Sequence, residues 1–279
     1  MKNMITYSLL SLFLFFIKKT TQLVLIICIS GSLFISCKFS KEKEKINEDP
    51  KKITALEIVE NSINWAGTIE KWKNIASLEY TKKTRLLLEN GQIESEVTQR
   101  HHYVLRPHKS IKISWVVNKD SFLIVHNDLI SQKFKNDSII EQGDNVKSAV
   151  NSSLYVVGMP FKLLDTGTIL TYEGPKFLSA ADTVHTVKAT YEPKKHQNHS
   201  TKDEWWYHFD KNNGALVSLM VYHKPTYALI ENVSVIEKEG LIFPERRKSY
   251  RCNELGEKLF LRAEFWYEDY SIEFLNNQD

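Results

Sequence analysis

The chain has 279 residues, with 37 Lys+Arg against 34 Asp+Glu and only three cysteines. Three of the basic residues, Lys2, Lys18 and Lys19, lie in an N-terminal leader, which leaves 34 basic against 34 acidic residues and excludes nucleic acid as an electrostatically attracted partner. Cys28 lies inside the leader and Cys37 at its end, so Cys252 has no intramolecular disulfide partner and a thiolate metal site is excluded.

The leader reads first. Lys18-Lys19, the apolar run Thr20 to Ile35 and the small Ser36 before Cys37 predict a secretory signal peptide over 1–36. The run is shorter than the about 20 apolar residues that a spanning helix needs. An uncleaved signal anchor is the alternative, and on either reading the rest of the chain leaves the cytoplasm. Leu33-Phe34-Ile35-Ser36-Cys37 resembles a bacterial lipoprotein box, with Phe34 where that box usually has leucine. The resemblance implies lipidation at Cys37 and a membrane partner held through that anchor. By the same resemblance Lys38, which replaces the aspartate of lipoproteins retained at the inner membrane, favours the outer membrane. A second apolar run, Met4 to Ile17, precedes the lysines, where signal peptides do not normally carry one.

Residues 37–52 are almost wholly charged, with little to bury, and predict a flexible tether. A single domain is expected over 53–279. Thr54-Ala55-Leu56-Glu57 has the form of a capping box. The helix that it starts places Leu56, Val59, Ile63 and Ala66 on one face, and Gly67 supplies its stop.

From Ile75 the hydrophobic period changes to two. Leu78 to Leu88 and Ile93 to Leu105 flank Asn90-Gly91, a strong hairpin signal. Ser110 to Val117 turns at Asn118-Lys119-Asp120 into Ser121 to Val125, and Leu129 to Phe134 turns at Lys135-Asn136-Asp137 into Ser138 to Glu141. Asp144 to Ser153 reads as a short helix or a loop, followed by the apolar Leu154 to Val157 and a break at Gly158-Met159-Pro160. Strand-like runs then follow at Ile169 to Tyr172, Thr183 to Tyr191, Trp205 to Phe209, Ala215 to Tyr222, Tyr227 to Ile236, Leu241 to Cys252 and Lys258 to Phe274. The expected fold is α+β and mainly β: a strongly curved antiparallel sheet forming an open barrel of about eleven strands, with the N-terminal helix on its concave face.

The opening helix ending in Trp65-Ala66-Gly67, Trp72, Leu78-Glu79-Tyr80, Gly158-Met159-Pro160-Phe161, the Trp206 to Gly214 hairpin and Gly240-Leu241-Ile242-Phe243-Pro244 together resemble the LolA/LolB-like group, the carriers and acceptors of lipoproteins in the bacterial envelope. More closely they resemble an uncharacterised family of envelope lipoproteins that shares this fold. The resemblance implies an open barrel with a helical lid, which tolerates many functions.

A helix incompletely packed on a curved sheet would leave an apolar cavity. Its candidate lining is Leu56, Val59, Ile63 and Ala66 with Leu78, Tyr80 and Trp115, and its expected ligand is an acyl chain, a lipid or a lipoprotein. No hydrolase elbow, metalloprotease helix or phosphate loop is present, so no catalytic residue is nominated, no cofactor is expected and the reading is non-enzymatic. His196, His199 and His208 are weak metal candidates, because Lys194, Lys195 and Lys202 surround the first two and would repel a dication. His101 and His102, adjacent on a strand, point to opposite faces and cannot share an ion. Trp205 and Trp206 likewise face opposite sides, and the Phe209 region places Trp206 in the core. The alternatives to a ligand carrier are an outer-membrane structural or interaction module with a packed interior and an envelope protein partner, and, less favoured, a metal-dependent enzyme.

Overall fold

Thr54 starts the first helix as its side chain predicts. Its hydroxyl accepts from the Glu57 backbone N–H at 3.2 Å, and the Glu57 carboxylate accepts from the Thr54 N–H at 2.8 Å. The computed structural model describes residues 53–177, 183–193, 195 and 202–275. Helix α1 (Ala55–Ala66) buries Ile58, Val59, Ser62, Ile63 and Ala66. It ends at Gly67, whose φ of 116° is left-handed. A side chain there is excluded twice, because a Cβ would lie 2.2 Å from the Gly240 carbonyl oxygen. The short α2 (Ile69–Lys73) follows and buries Trp72, which stacks on Phe161 at 5.0 Å between ring centroids.

The chain then runs through β1 (Ile75–Leu87), β2 (Ile93–Val104), β3 (Ser110–Val117), β4 (Asp120–Asn127), β5 (Ser131–Lys135) and β6 (Ser138–Gln142). Helix α3 (Asp144–Val157) and a 3-10 turn (Phe161–Leu164) interrupt the strands. They resume as β7 (Thr168–Phe177), β8 (Thr183–Tyr191), β9 (Glu204–Asp210), β10 (Leu216–His223), β11 (Thr226–Lys238), β12 (Leu241–Cys252) and β13 (Lys258–Phe274). The Asp144 to Ser153 stretch is thus a helix, and it absorbs the apolar Leu154 to Val157 as its last turn.

The expected strongly curved open barrel of about eleven strands is corrected by the observed topology. One antiparallel sheet of thirteen strands forms, in the order β6-β5-β4-β3-β2-β1-β13-β12-β11-β10-β9-β8-β7, and it is not closed. Two meanders, β1 to β6 and β7 to β13, meet where the first strand pairs with the last. The physical reason for the open edges lies in the connection between them. A hairpin would have paired β6 with β7, but the chain leaves β6 as α3, which packs on β4, β5 and β6 and sinks Val146, Val150 and Leu154 into the interior. Helix α1 lies against β7, β8 and β12, and one hydrophobic cluster includes residues of all three helices and of one sheet face. A smaller cluster of Met220, Leu229 and Cys252, with Trp206 and Tyr227 against it, forms separately. It lies on the opposite face, since Met220 alternates with the core residue Leu219. Among the described residues no helix is long and apolar enough to cross a membrane.

Candidate functional site

Between helix and sheet, the expected cavity lining is drawn together as packed interior. Val59, Ile63, Ala66, Leu78 and Tyr80 are all buried in the main cluster, and Trp115 packs against it half-buried. Leu56 is 49% exposed, because it sits at the margin of the stripe that α1 turns inward.

Tyrosine hydroxyls fill the polar positions of this interior. The Tyr103 hydroxyl lies 3.2 Å from that of Tyr80, 3.0 Å from His101 Nδ1 and 2.9 Å from Ser153 Oγ. Tyr155, Tyr191 and Tyr207 bring their hydroxyls into a second group. Burial pushes Tyr103 and Tyr191 up to about 12, so both stay protonated at neutral pH. Burial, aided by the nearby Lys82 charge, pushes His101 down to about 3, so its imidazole is neutral. These two tyrosines and His101 titrate far from neutrality, and an arrangement of this kind suits packing better than proton transfer.

The open apolar space lies on β3, β4 and β5. Trp115 and Phe122 are direct cross-strand partners, and their rings stack at 5.1 Å with 5° between planes. Val116, Leu123, Val125 and Phe134 alternate with these two residues and point to the opposite face. There, with Trp115 and Phe122 also among the bordering residues, they line a recess of about 510 Å³ edged by Ser114, Ser121 and Asp137. Lys135 lies over the Phe122 ring at 5.9 Å and pairs with Asp120 at 2.8 Å, so its charge is compensated beside the recess. Ile139, the partner of Phe134 in the register, continues the apolar surface to the sheet edge and is exposed. Contiguous exposed apolar surface of this kind marks binding sites.

Of this lining, only Trp115 belonged to the predicted set. A signal for the rest was present in Phe122-Leu123-Ile124-Val125, which is apolar on both faces, unlike a strand that buries one face and wets the other.

Cys37, His196 and His199 fall outside the described residues. His208 is buried, and its Nδ1 lies 2.9 Å from Ser218 Oγ. Among the described residues no three His, Cys, Asp or Glu side chains gather as metal ligands do. His101 and His102 do point apart: the first stacks on Tyr80 in the core, and the second binds the Glu79 carboxylate at the surface. The tryptophan assignment is reversed. Trp205 packs against the main cluster and Trp206 against the smaller one, because Phe209 is an even number of residues from Trp205 and so shares its face.

Among curated proteins, none matches the chain in sequence. Several solved structures share the fold, among them the following three. One is a DUF1329 family protein from Desulfovibrio piger, 6% identical, with a TM-score of 0.54 over 80% of this chain and 94% of that one. The second is the LolA superfamily protein NE2245 from Nitrosomonas europaea, 10% identical, with a TM-score of 0.51 over 81% and 97%. The third is a domain from Vibrio parahaemolyticus named for outer membrane lipoprotein sorting, 9% identical, with a TM-score of 0.51 over 81% and 95%. At these identities the likeness is one of fold alone. In sequence, residues 23–227 match the model of a family of unknown function, DUF6503, and the chain belongs to that family.

Proposed function

We propose that this is a lipid-anchored protein of the cell envelope that binds a hydrophobic ligand, an acyl chain of a lipid or lipoprotein, without chemistry. The recess at Trp115 is the binding place in this reading, in preference to the helix–sheet interface, whose residues are packed. The observation that carries it is the open recess of about 510 Å³ bordered by six apolar residues, of which Val116, Leu123, Val125 and Phe134 share its face, within the range of about 300–1,000 Å³ typical of small-ligand sites. Two of the solved structures that share the fold are named for the LolA superfamily and for lipoprotein sorting in the outer membrane, which supports an envelope setting. Lipidation at Cys37 supplies the anchor, and the Cys37→Ala protein is expected in the soluble fraction.

Native mass spectrometry of residues 50–279, purified without detergent and then extracted with organic solvent, tests the ligand. A reproducible acyl-lipid mass that Leu123→Glu removes supports the reading. A bare mass with no uptake of added fatty acid or phospholipid counts against it.

A second reading, an interaction module, is favoured by the free edge strand β6, which carries exposed Ile139 and Ile140. An unpaired edge accepts a strand from a partner. Crosslinking from β6 to an envelope protein, with no lipid bound, is the outcome that separates this reading from the first.

A further inference from the structure

The register of β8, β9 and β10 sets Thr186, His208 and Ser218 side by side in one row on the face opposite the main core. All three are more than nine-tenths buried. His208 Nδ1 and Ser218 Oγ satisfy each other at 2.9 Å. The Thr186 hydroxyl has no hydrogen-bond partner among the described residues. A buried hydroxyl without a partner is a cost that the isosteric valine would not carry, so its retention asks for a reason.

Thr186 and His208 floor a recess of about 390 Å³, walled by Trp206, by Glu173 of β7 and by Glu254 of the turn between β12 and β13. The indole is held in place. Its Nε1 donates to Glu173 Oε2 at 3.1 Å, and the Lys188 ammonium lies 4.9 Å from the ring centroid. A few convergent polar groups beside an aromatic wall, in a volume of this order, are the features of a small-molecule site.

We propose that this recess is a second binding site, for an uncharged polyhydroxylated ligand the size of a sugar, with one ligand hydroxyl bonded to Thr186 and the apolar side of its ring laid on Trp206. The surrounding charges select that class. His208 in the floor is neutral at physiological pH, since burial pushes it down to about 4. At the rim Lys176 stands against two carboxylates, Glu173 and Glu254, of which Glu173 already accepts from the Trp206 indole, so an anion gains no strong complement and a cation meets only the one remaining carboxylate beside an ammonium. An acyl chain would leave Thr186 unpaired and is the wrong occupant. This site lies on β7 to β11 and the acyl recess on β3 to β5, so either proposal can fail without the other.

The test is titration of the purified full chain with glucose, galactose, N-acetylglucosamine and maltose, with sodium acetate as the charged control. Binding is followed by tryptophan fluorescence and saturation-transfer NMR. A saturable response to at least one sugar is expected, and Thr186→Val should weaken it about tenfold, as loss of one well-placed hydrogen bond does. Thr186→Val keeps the side-chain shape and is expected to raise Tm, which establishes that the variant folds. Three results would overturn the proposal: no sugar response at tens of millimolar, an undiminished response in Thr186→Val, or an equal response to acetate.

Discussion

The Tyr103 hydroxyl stands 2.9 Å from Ser153 Oγ, and through that bond β2 is tied to α3 across the interior. The same oxygen serves His101 and Tyr80, so its removal strands three polar groups while keeping the ring. Tyr103→Phe is expected to cost about 1–3 kcal/mol, and Ser153→Ala about 0.5–1.5 kcal/mol. Urea unfolding checks both, with an unchanged m-value as the sign that only stability has moved.

Ligand binding in the Trp115 recess should follow chain length. Each added CH₂ contributes about 0.8 kcal/mol, close to fourfold in affinity, until the recess is full. Competition of saturated fatty acids of increasing length against a fluorescent fatty acid measures this slope. Leu123→Glu sets a carboxylate among the lining residues and should abolish displacement while leaving the unfolding free energy within about 1 kcal/mol of the parent. A flat chain-length profile would remove the recess from consideration.

These two predictions draw unequally on the sequence. The capping box at Thr54, the Gly67 stop and the Asn90-Gly91 hairpin were legible because each is a local signal, read within a few residues. The open sheet was not, because its edges are set by α3, whose apolar residues straddle a stretch that reads as loop and a stretch that reads as strand. Pairing of Ile75 with Phe274 joins residues at opposite ends of the domain, and no hairpin signal links them. Trp115 reads from the sequence as lining of a helix–sheet cavity, whereas it borders the recess on β3 to β5. Leu123 and Val125 read as ordinary strand residues until β4 is seen to be apolar on both faces. His208 appeared as a metal candidate through its neighbours in sequence, whereas its partner in space is Ser218, across the hairpin.

Gly67 should tolerate no side chain. Gly67→Ala adds a left-handed penalty of about 1–2 kcal/mol to a collision with the Gly240 carbonyl, so a total above about 2 kcal/mol is expected. Gly91 is also left-handed but has nothing within 4 Å of where a Cβ would lie, and Gly91→Ala should cost only about 1 kcal/mol. The difference between the two, measured by thermal unfolding, isolates the contact between α1 and the β11–β12 turn.

Acid should destabilise the domain through its buried imidazoles, two of which, His101 and His208, carry the largest shifts. His101 is held at about 3 and His208 at about 4, chiefly by burial, against about 6.5 in the unfolded chain. Between these values the unfolded state binds more protons, so stability is full above about pH 6.5 and falls as pH drops toward 3 to 4. Each histidine accounts for about 2 kcal/mol of loss at pH 5. His208→Gln should remove its share of that pH dependence, as read from urea midpoints between pH 7 and 5.

The pairing of β1 with β13 sets the order in which the protein can be assembled. The seam at the centre of the sheet needs Lys258–Phe274, which is synthesised after every other described strand. Until that strand arrives, each meander carries an additional raw edge, and the hydrophobic residues of β1 have neighbours on one side only. Contacts between such distant parts of a chain form slowly. Docking of this seventeen-residue strand is therefore the step expected to complete the sheet, and a ribosome stalled before it would hold two half-sheets with no join between them.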